Sequence, residues 1–204
     1  MIIRECRIDD IKELSNVALS TAMAGKDGNS YFYNKDLISQ YYCEPYIRFD
    51  AQYCFAVEED NVCCGYTVGV IDSIEFFKWF NAVWLVKLRA QYKNCKSISE
   101  EEDRILNLIK EDVEPSDYFE QYPAHLHINL LDTMQGKSIG TRLISTLLQK
   151  LADDNIKGVH LGVQIDNNKA IGFYKHLGFK VIEEKPWGYV MGKALSIGKA
   201  QNSN

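Results

Sequence analysis

Apolar positions change their period several times along the chain, and each change marks an element. MIIRECRI alternates weakly and reads as a strand. Ile11, Leu14, Val17 and Ala18 then fall on one helical face, with Asp10 and Glu13 spaced as an N-cap and its reciprocal partner. GKDGNS is a turn-rich loop, and the aromatic stretch YFYNKDLISQYYCEPYI keeps helical spacing until Pro45. QYCFAVEE and VCCGYTVGVI, parted by the turn residues Asp60 and Asn61, predict an antiparallel hairpin. Residues 72–124 insert two helices: FFKWFNAVWLVKLRAQY, apolar on nearly every side, and EEEDRILNLIKEDV, acidic early and apolar at Ile105, Leu108 and Ile109. A helix apolar all round must be covered all round, so the first is expected beneath the domain, against a partner or over a substrate pocket.

After Pro123 the pattern is regular. The strand AHLHINLL leads through the glycine loop QGKSIGT to a helix marked by Ile139, Leu143, Ile144, Leu147, Leu148 and Leu151. The strand VHLGVQI follows, then the helix NNKAIGFYKHLGF closed by Gly178, then the strand pair FKVIEE and GYVMGKAL. No internal repeat is visible. The last residues, 196–204, are expected to be disordered.

Composition narrows what this pattern can serve. With 204 residues and 46% hydrophobic content, the chain is expected to form one domain with a substantial core, spanning residues 1–195. A net charge of -5 without a long basic run argues against a nucleic-acid partner and leaves small molecules or proteins, with a homodimer also open. The N-terminus carries charges where a secretory signal needs an apolar core, so a cytoplasmic location is expected. The six cysteines show no CxxC pairing and are expected as free thiols. FFKWFNAVWLV, interrupted by Lys78 and Asn81, is too short for a bilayer, which takes about 20 residues.

Candidate chemistry starts at the glycine loop. The first turn of a helix leaves about four backbone N–H groups unpaired at the positive end of its dipole, which suits a phosphate. Gly136 and Gly140 would let a phosphate approach the backbone, while Gln135, Lys137, Ser138 and Thr141 add polar groups. An ordinary helix start with incidental glycines reads the same way on its own. No GxxxxGK[ST] and no GxGxxG after the first strand is present, so the loops of nucleoside triphosphatases and dinucleotide folds do not match.

The loop resembles the Q/R-x-x-G-x-G/A signature of the GCN5-related N-acetyltransferase (GNAT) superfamily, with Gln135, Ser138 and Gly140 at the marked positions and Ser138 departing from the usual glycine. One helix and one strand later, Asn167, Ala170, Phe173, Tyr174, Gly178 and Phe179 resemble that superfamily's second motif. YYCEPYIRFD, GYTVGVID and PAHLHINLL are similar to the acetyltransferase-like domain attached to some O-GlcNAc hydrolases and to its free-standing bacterial relatives. The resemblance implies the α/β (α+β) GNAT fold: a mixed, mostly antiparallel sheet of six to seven strands flanked by helices, with the helical insertion between strands 3 and 4.

It also implies an acetyl-CoA-dependent N-acetyltransferase acting on a small-molecule or peptide amine, without a metal. The donor's pyrophosphate would lie on the amides of Gln135, Gly136, Lys137, Ser138, Ile139, Gly140 and Thr141, near Asn167, Ala170 and Phe173. The pantetheine arm would follow AHLHINLL, with a backbone N–H near Leu130 or Leu131 as oxyanion donor. Tyr174, a phenol of ordinary pKa about 10, would protonate the departing thiolate; the competing reading is a core aromatic. Alternation puts His125, His127 and Asn129 on one strand face, which makes the two histidines candidate bases, or else structural residues. The HLH pair has no further ligand at suitable spacing for a metal. A fold that binds acyl-CoA as a sensor or scaffold without turnover is the second reading. Residues 30–50 and 72–124 are expected to shape the acceptor side.

Overall fold

The computed structural model describes residues 1–196. Its frame is a sheet of β1 (Ile2–Glu5), β2 (Cys54–Glu59), β3 (Val62–Val70), β4 (Ala124–Leu130), β5 (Gly158–Gln164), β6 (Lys180–Lys185) and β7 (Gly188–Ala194), in spatial order β1-β2-β3-β4-β5-β7-β6. All neighbours are antiparallel except β4 and β5. The seven strands and the helical insertion between β3 and β4 therefore follow the sequence pattern. Ser196 apart, the tail expected to be disordered lies outside the described residues.

Helices cover both faces. On one lie α1 (Ile11–Ser20), α2 (Leu37–Tyr42), α3 (Glu44–Asp50) and the insertion's α4 (Ser73–Trp79), α5 (Leu85–Tyr92) and α6 (Glu100–Lys110); on the other lie α7 (Ile139–Asp153) and α8 (Asn168–His176). β2 shows the consequence. Cys54 and Ala56 enter the core under α1 and α3, while Phe55 and Val57 enter the core under α7. β3 is buried from Cys63 to Val70 because both of its faces are covered, which is why it reads as a nearly continuous apolar run.

Three local expectations are corrected. Pro45 does not end a helix; it sits in the first turn of α3, where its missing N–H costs nothing. Asp10 and Glu13 do not form a capping box, because the Arg4 fork holds both Asp10 oxygens at 2.7 and 2.8 Å. Glu13 instead accepts from the Cys63 amide at 2.9 Å.

The third concerns the aromatic insertion, which is apolar on nearly every side but is not covered on every side. Val83, Val86 and Lys87 face outward, while Phe76, Phe80, Trp84 and Leu88 are buried. Those four recur every fourth residue, and in a regular α-helix three such steps would carry the stripe about 120° around the axis. A π-helical turn at Phe80–Trp84 takes up roughly one residue of this drift and keeps the stripe on one face. Most of these rings thus complete the core against α2, α3 and α6. α6 is tied in by the buried Glu102 carboxylate, which accepts from the Asn34 and Ile98 amides, each at 3.0 Å. Burial alone would raise its pKa, but these hydrogen bonds hold it below the usual range. No helix of the described residues is long and apolar enough to cross a membrane.

Candidate active site

β4 and β5 pair only at Ala124 with Val159 and His125 with His160, and beyond that point they part. β5 stays paired with β7 along its whole length and β4 stays paired with β3 as far as Leu130, so the sheet opens between the two strands. In an antiparallel ladder alternate residues bond to the same neighbour. The Leu131 amide donates to the Cys64 carbonyl at 3.0 Å, which places odd-numbered residues of β4 toward β3. The Leu130 amide consequently faces the gap. Of the two oxyanion donors expected from sequence, Leu131 is engaged and Leu130 is open.

The glycine loop closes one end of the gap. Gly136 has φ +74° and Ser138 has φ +56°, both left-handed, so the chain doubles back into α7. This backbone explains why glycine suits position 138, and Ser138 adopts it without a capping hydrogen bond. Among the described residues, no amide from Gly136 to Thr141 donates to a backbone carbonyl; the first to do so is that of Arg142, to Ser138 at 3.0 Å. Lys137, Arg142 and Lys169 are exposed around them. Ile139 is instead a core residue, and Thr141 is half-buried.

The two sequence motifs meet here. A Cβ on Gly140 would lie 3.3 Å from Phe173 Cζ and 3.9 Å from Leu130 Cδ2, so loop, α8 and β4 converge at this glycine. Gln135 donates to the Leu130 carbonyl at 3.2 Å and to Asp132 at 2.8 Å, and accepts from Lys169. Asn167 caps α8 through the Ala170 amide at 3.1 Å. Gln135 and Asn167 thus shape the site's backbone as much as they offer polar atoms to a ligand.

Tyr174 packs on α8 beside Phe173 and Phe179, almost wholly buried. Its hydroxyl has no hydrogen-bond partner among the described residues, and burial pushes its pKa above that of a free phenol. Across the sheet, His125 and His127 share a partner that the sequence did not reveal. Tyr46 Oη of α3 lies 2.9 Å from His125 Nε2 and 3.0 Å from His127 Nε2. His125 Nδ1 lies 2.8 Å from Ser73 Oγ, and its ring stacks on Phe77 at 4.9 Å. Both ring nitrogens of His125 are engaged. His127 is half-buried and its Nδ1 has no protein partner among the described residues. Burial lowers the pKa of both, with His160 adding to the effect, and that of His127 falls to about 4. Asn129, the third residue on this face, donates to Thr21 Oγ1 at 2.6 Å and anchors the end of α1. Tyr46 and Ser73 carried no spacing signal, since they reach the histidines from 79 and 52 residues away. Among the described residues, no three His, Cys, Asp or Glu side chains are placed to share a metal ion.

Comparison with known proteins bears on the same regions. The model of the Acetyltransferase (GNAT) family matches residues 25–179. Protein O-GlcNAcase of Rattus norvegicus and of Mus musculus are each 24% identical over 147 residues, covering 70% of this chain but only 16% of theirs. The chain therefore spans about one sixth of those relatives. Among solved structures, SsHAT superposes with a TM-score of 0.85 at 27% identity, covering 96% of this chain and 98% of that one. The PaiA N-acetyltransferase from Thermoplasma acidophilum, in complex with coenzyme A, gives 0.57 at 16% identity, covering 95% and 98%.

Proposed function

The chain belongs to the GNAT family of acetyltransferases, and on that premise we propose that it transfers the acetyl group of acetyl-CoA to a primary amine by direct attack. The observation that carries this reading is the run of unpaired amides from Gly136 to Thr141 at the head of α7, ringed by Lys137, Arg142 and Lys169. Such a cradle fits a pyrophosphate, and the open edge of β4 beyond His125 fits an extended pantetheine arm. The coenzyme A held by the PaiA neighbour supports the same assignment.

Acetyl-CoA supplies an activated acyl carbon; the chain's own residues supply orientation and protons. The Leu130 N–H faces the gap and would stabilise the negative charge that develops on the carbonyl oxygen. The amine nitrogen bonds to the acyl carbon, the carbon–sulfur bond breaks, one proton leaves the nitrogen and one joins the sulfur. Tyr174, kept protonated by burial, is assigned as the donor to sulfur. His127 is assigned as acceptor of the nitrogen's proton. Its pKa of about 4 lies well below that of a lysine-like ammonium, which makes it a poor base toward the resting, protonated substrate. The amine therefore arrives neutral. The proton passed to His127 is the one shed once the carbon–nitrogen bond has made that nitrogen acidic.

A second reading is a CoA-binding sensor or scaffold without turnover, and Ser138 in a left-handed conformation is the feature that favours it. Measuring acetyl-CoA binding beside thiol release with a panel of amines separates the two. Binding with amine-dependent release supports the transferase; binding without release supports the sensor. The activity of the O-GlcNAcases, of which the chain spans about one sixth, does not enter this reading.

A further inference from the structure

Four side chains from three distant segments form one hydrogen-bonded line, and its polarity can be worked out atom by atom. Ser73 Oγ lies 2.6 Å from the Pro123 carbonyl oxygen. A carbonyl brings no proton, so the single hydroxyl proton of Ser73 must occupy that contact. The 2.8 Å contact between Ser73 Oγ and His125 Nδ1 then needs its proton from the imidazole. His125 is enclosed by Phe76, Phe77 and Tyr46, and burial holds the ring neutral. A neutral imidazole protonated at Nδ1 has a bare Nε2, so Tyr46 donates to it. The Tyr46 oxygen, its proton spent, must accept from His127 Nε2 at 3.0 Å.

We infer that Ser73, His125 and Tyr46 form a one-way hydrogen-bond chain that fixes the proton of His127 on Nε2 and leaves Nδ1 as that ring's basic atom. Ser73 and Tyr46 are positioning residues acting through the two imidazoles. The line starts at a backbone carbonyl, the one partner whose direction cannot reverse, and this gives the whole chain its sense. Nδ1 is also the nitrogen without a protein partner among the described residues, on the only half-buried ring of the line. That Nδ1 receives the proton of the attacking amine rests on the transferase reading above; the tautomer itself does not.

The test is a long-range ¹⁵N–¹H correlation spectrum of protein carrying ¹⁵N-histidine, recorded at neutral pH without acetyl-CoA. Only four histidines are present, and His→Gln variants assign them. The expected result is a pyrrole-like Nε2 and a pyridine-like Nδ1 for His127, and the reverse for His125. Ser73→Ala removes the fixed end, so the line can run backwards; the His127 Nδ1 resonance should then shift toward the pyrrole-like position. A His127 protonated on Nδ1 in the unaltered protein overturns the inference, as does a folded Ser73→Ala protein whose His127 tautomer has not moved. If the variant fails to fold, the unaltered protein still decides. Since no turnover is read, an inactive protein with the expected tautomers would count against the transferase and leave the chain of bonds standing.

Discussion

The two sides of the gap between β4 and β5 are built from different material. The side proposed to hold the donor, from Leu130 to Tyr174, presents backbone amides whose directions follow from a short loop and one helix start. The side proposed to face the acceptor is built from side chains, Tyr46, Ser73, His125 and His127, joined across 52 to 81 residues of chain. Backbone sites need glycine spacing and helix caps, features local in sequence. Side-chain sites need only that distant elements pack together, and any residue that fits the core can then serve.

The contrast is broken most forcefully by acid. His125, His127 and His160 are all held below the usual 6.5 by burial, and all belong to the acceptor side or border it. The folded values lie below the unfolded ones, so the unfolded chain binds more protons between about pH 6.5 and 4. Their contribution to stability is present above 6.5 and is lost as the pH falls through that window. Up to three protons should be taken up on unfolding, which means up to about a thousandfold in the unfolding constant per pH unit. Denaturant titrations at successive pH values measure this. A flat stability from pH 7 to 4.5 would show that the histidines are not buried neutral, and the acceptor side would need rebuilding.

Tyr174→Phe addresses the donor side's single chemical group. It keeps the ring packed against Phe173 and Phe179 and removes only the hydroxyl proposed as proton donor. Turnover should fall by about 10²–10⁴ while acetyl-CoA affinity and melting temperature stay put. Unchanged turnover would mean that solvent protonates the thiolate, and that the donor side contributes backbone alone.

Gly140→Glu is the next step down. The new side chain meets Phe173 at the point where loop, helix and strand converge, and brings a negative charge to the proposed pyrophosphate cradle. Acetyl-CoA should bind at least about a hundredfold more weakly, ~2.7 kcal/mol. Retained affinity, measured by calorimetry, would place the cofactor elsewhere.

How much of this was legible in the sequence follows the same division. The strands, α7, α8 and the place of the loop between β4 and α7 were legible because period, caps and glycines are local signals. The aromatic insertion was misread because the π turn at Phe80–Trp84 alters the helical period, so rings that project around an ideal helix share one face. Asp10 looked like a cap until Arg4, six residues back, took its carboxylate. The histidines were visible as a pair on one strand face, but Tyr46 between them was one tyrosine among twelve.

The smallest effect sharpens the comparison most finely. Ser138 stands in a left-handed conformation that costs a non-glycine residue roughly 1–2 kcal/mol. Glycine would relieve that strain but lose more chain entropy on folding, about 0.5–1 kcal/mol. The Ser138 side chain is exposed and makes no cap hydrogen bond, so its removal forfeits nothing in the free protein. Ser138→Gly should therefore stabilise the protein by about 0.5–1 kcal/mol, which for a chain of this size raises the melting temperature by roughly 1–4 °C. Acetyl-CoA affinity distinguishes two kinds of loop. If the loop acts through its amides alone, affinity should stay within about threefold, ~0.7 kcal/mol. A loss of tenfold or more would mean that the serine hydroxyl is itself a phosphate ligand. The donor side would then share the acceptor side's dependence on side chains, and serine in place of glycine would supply the phosphate with a hydroxyl ligand in exchange for backbone strain.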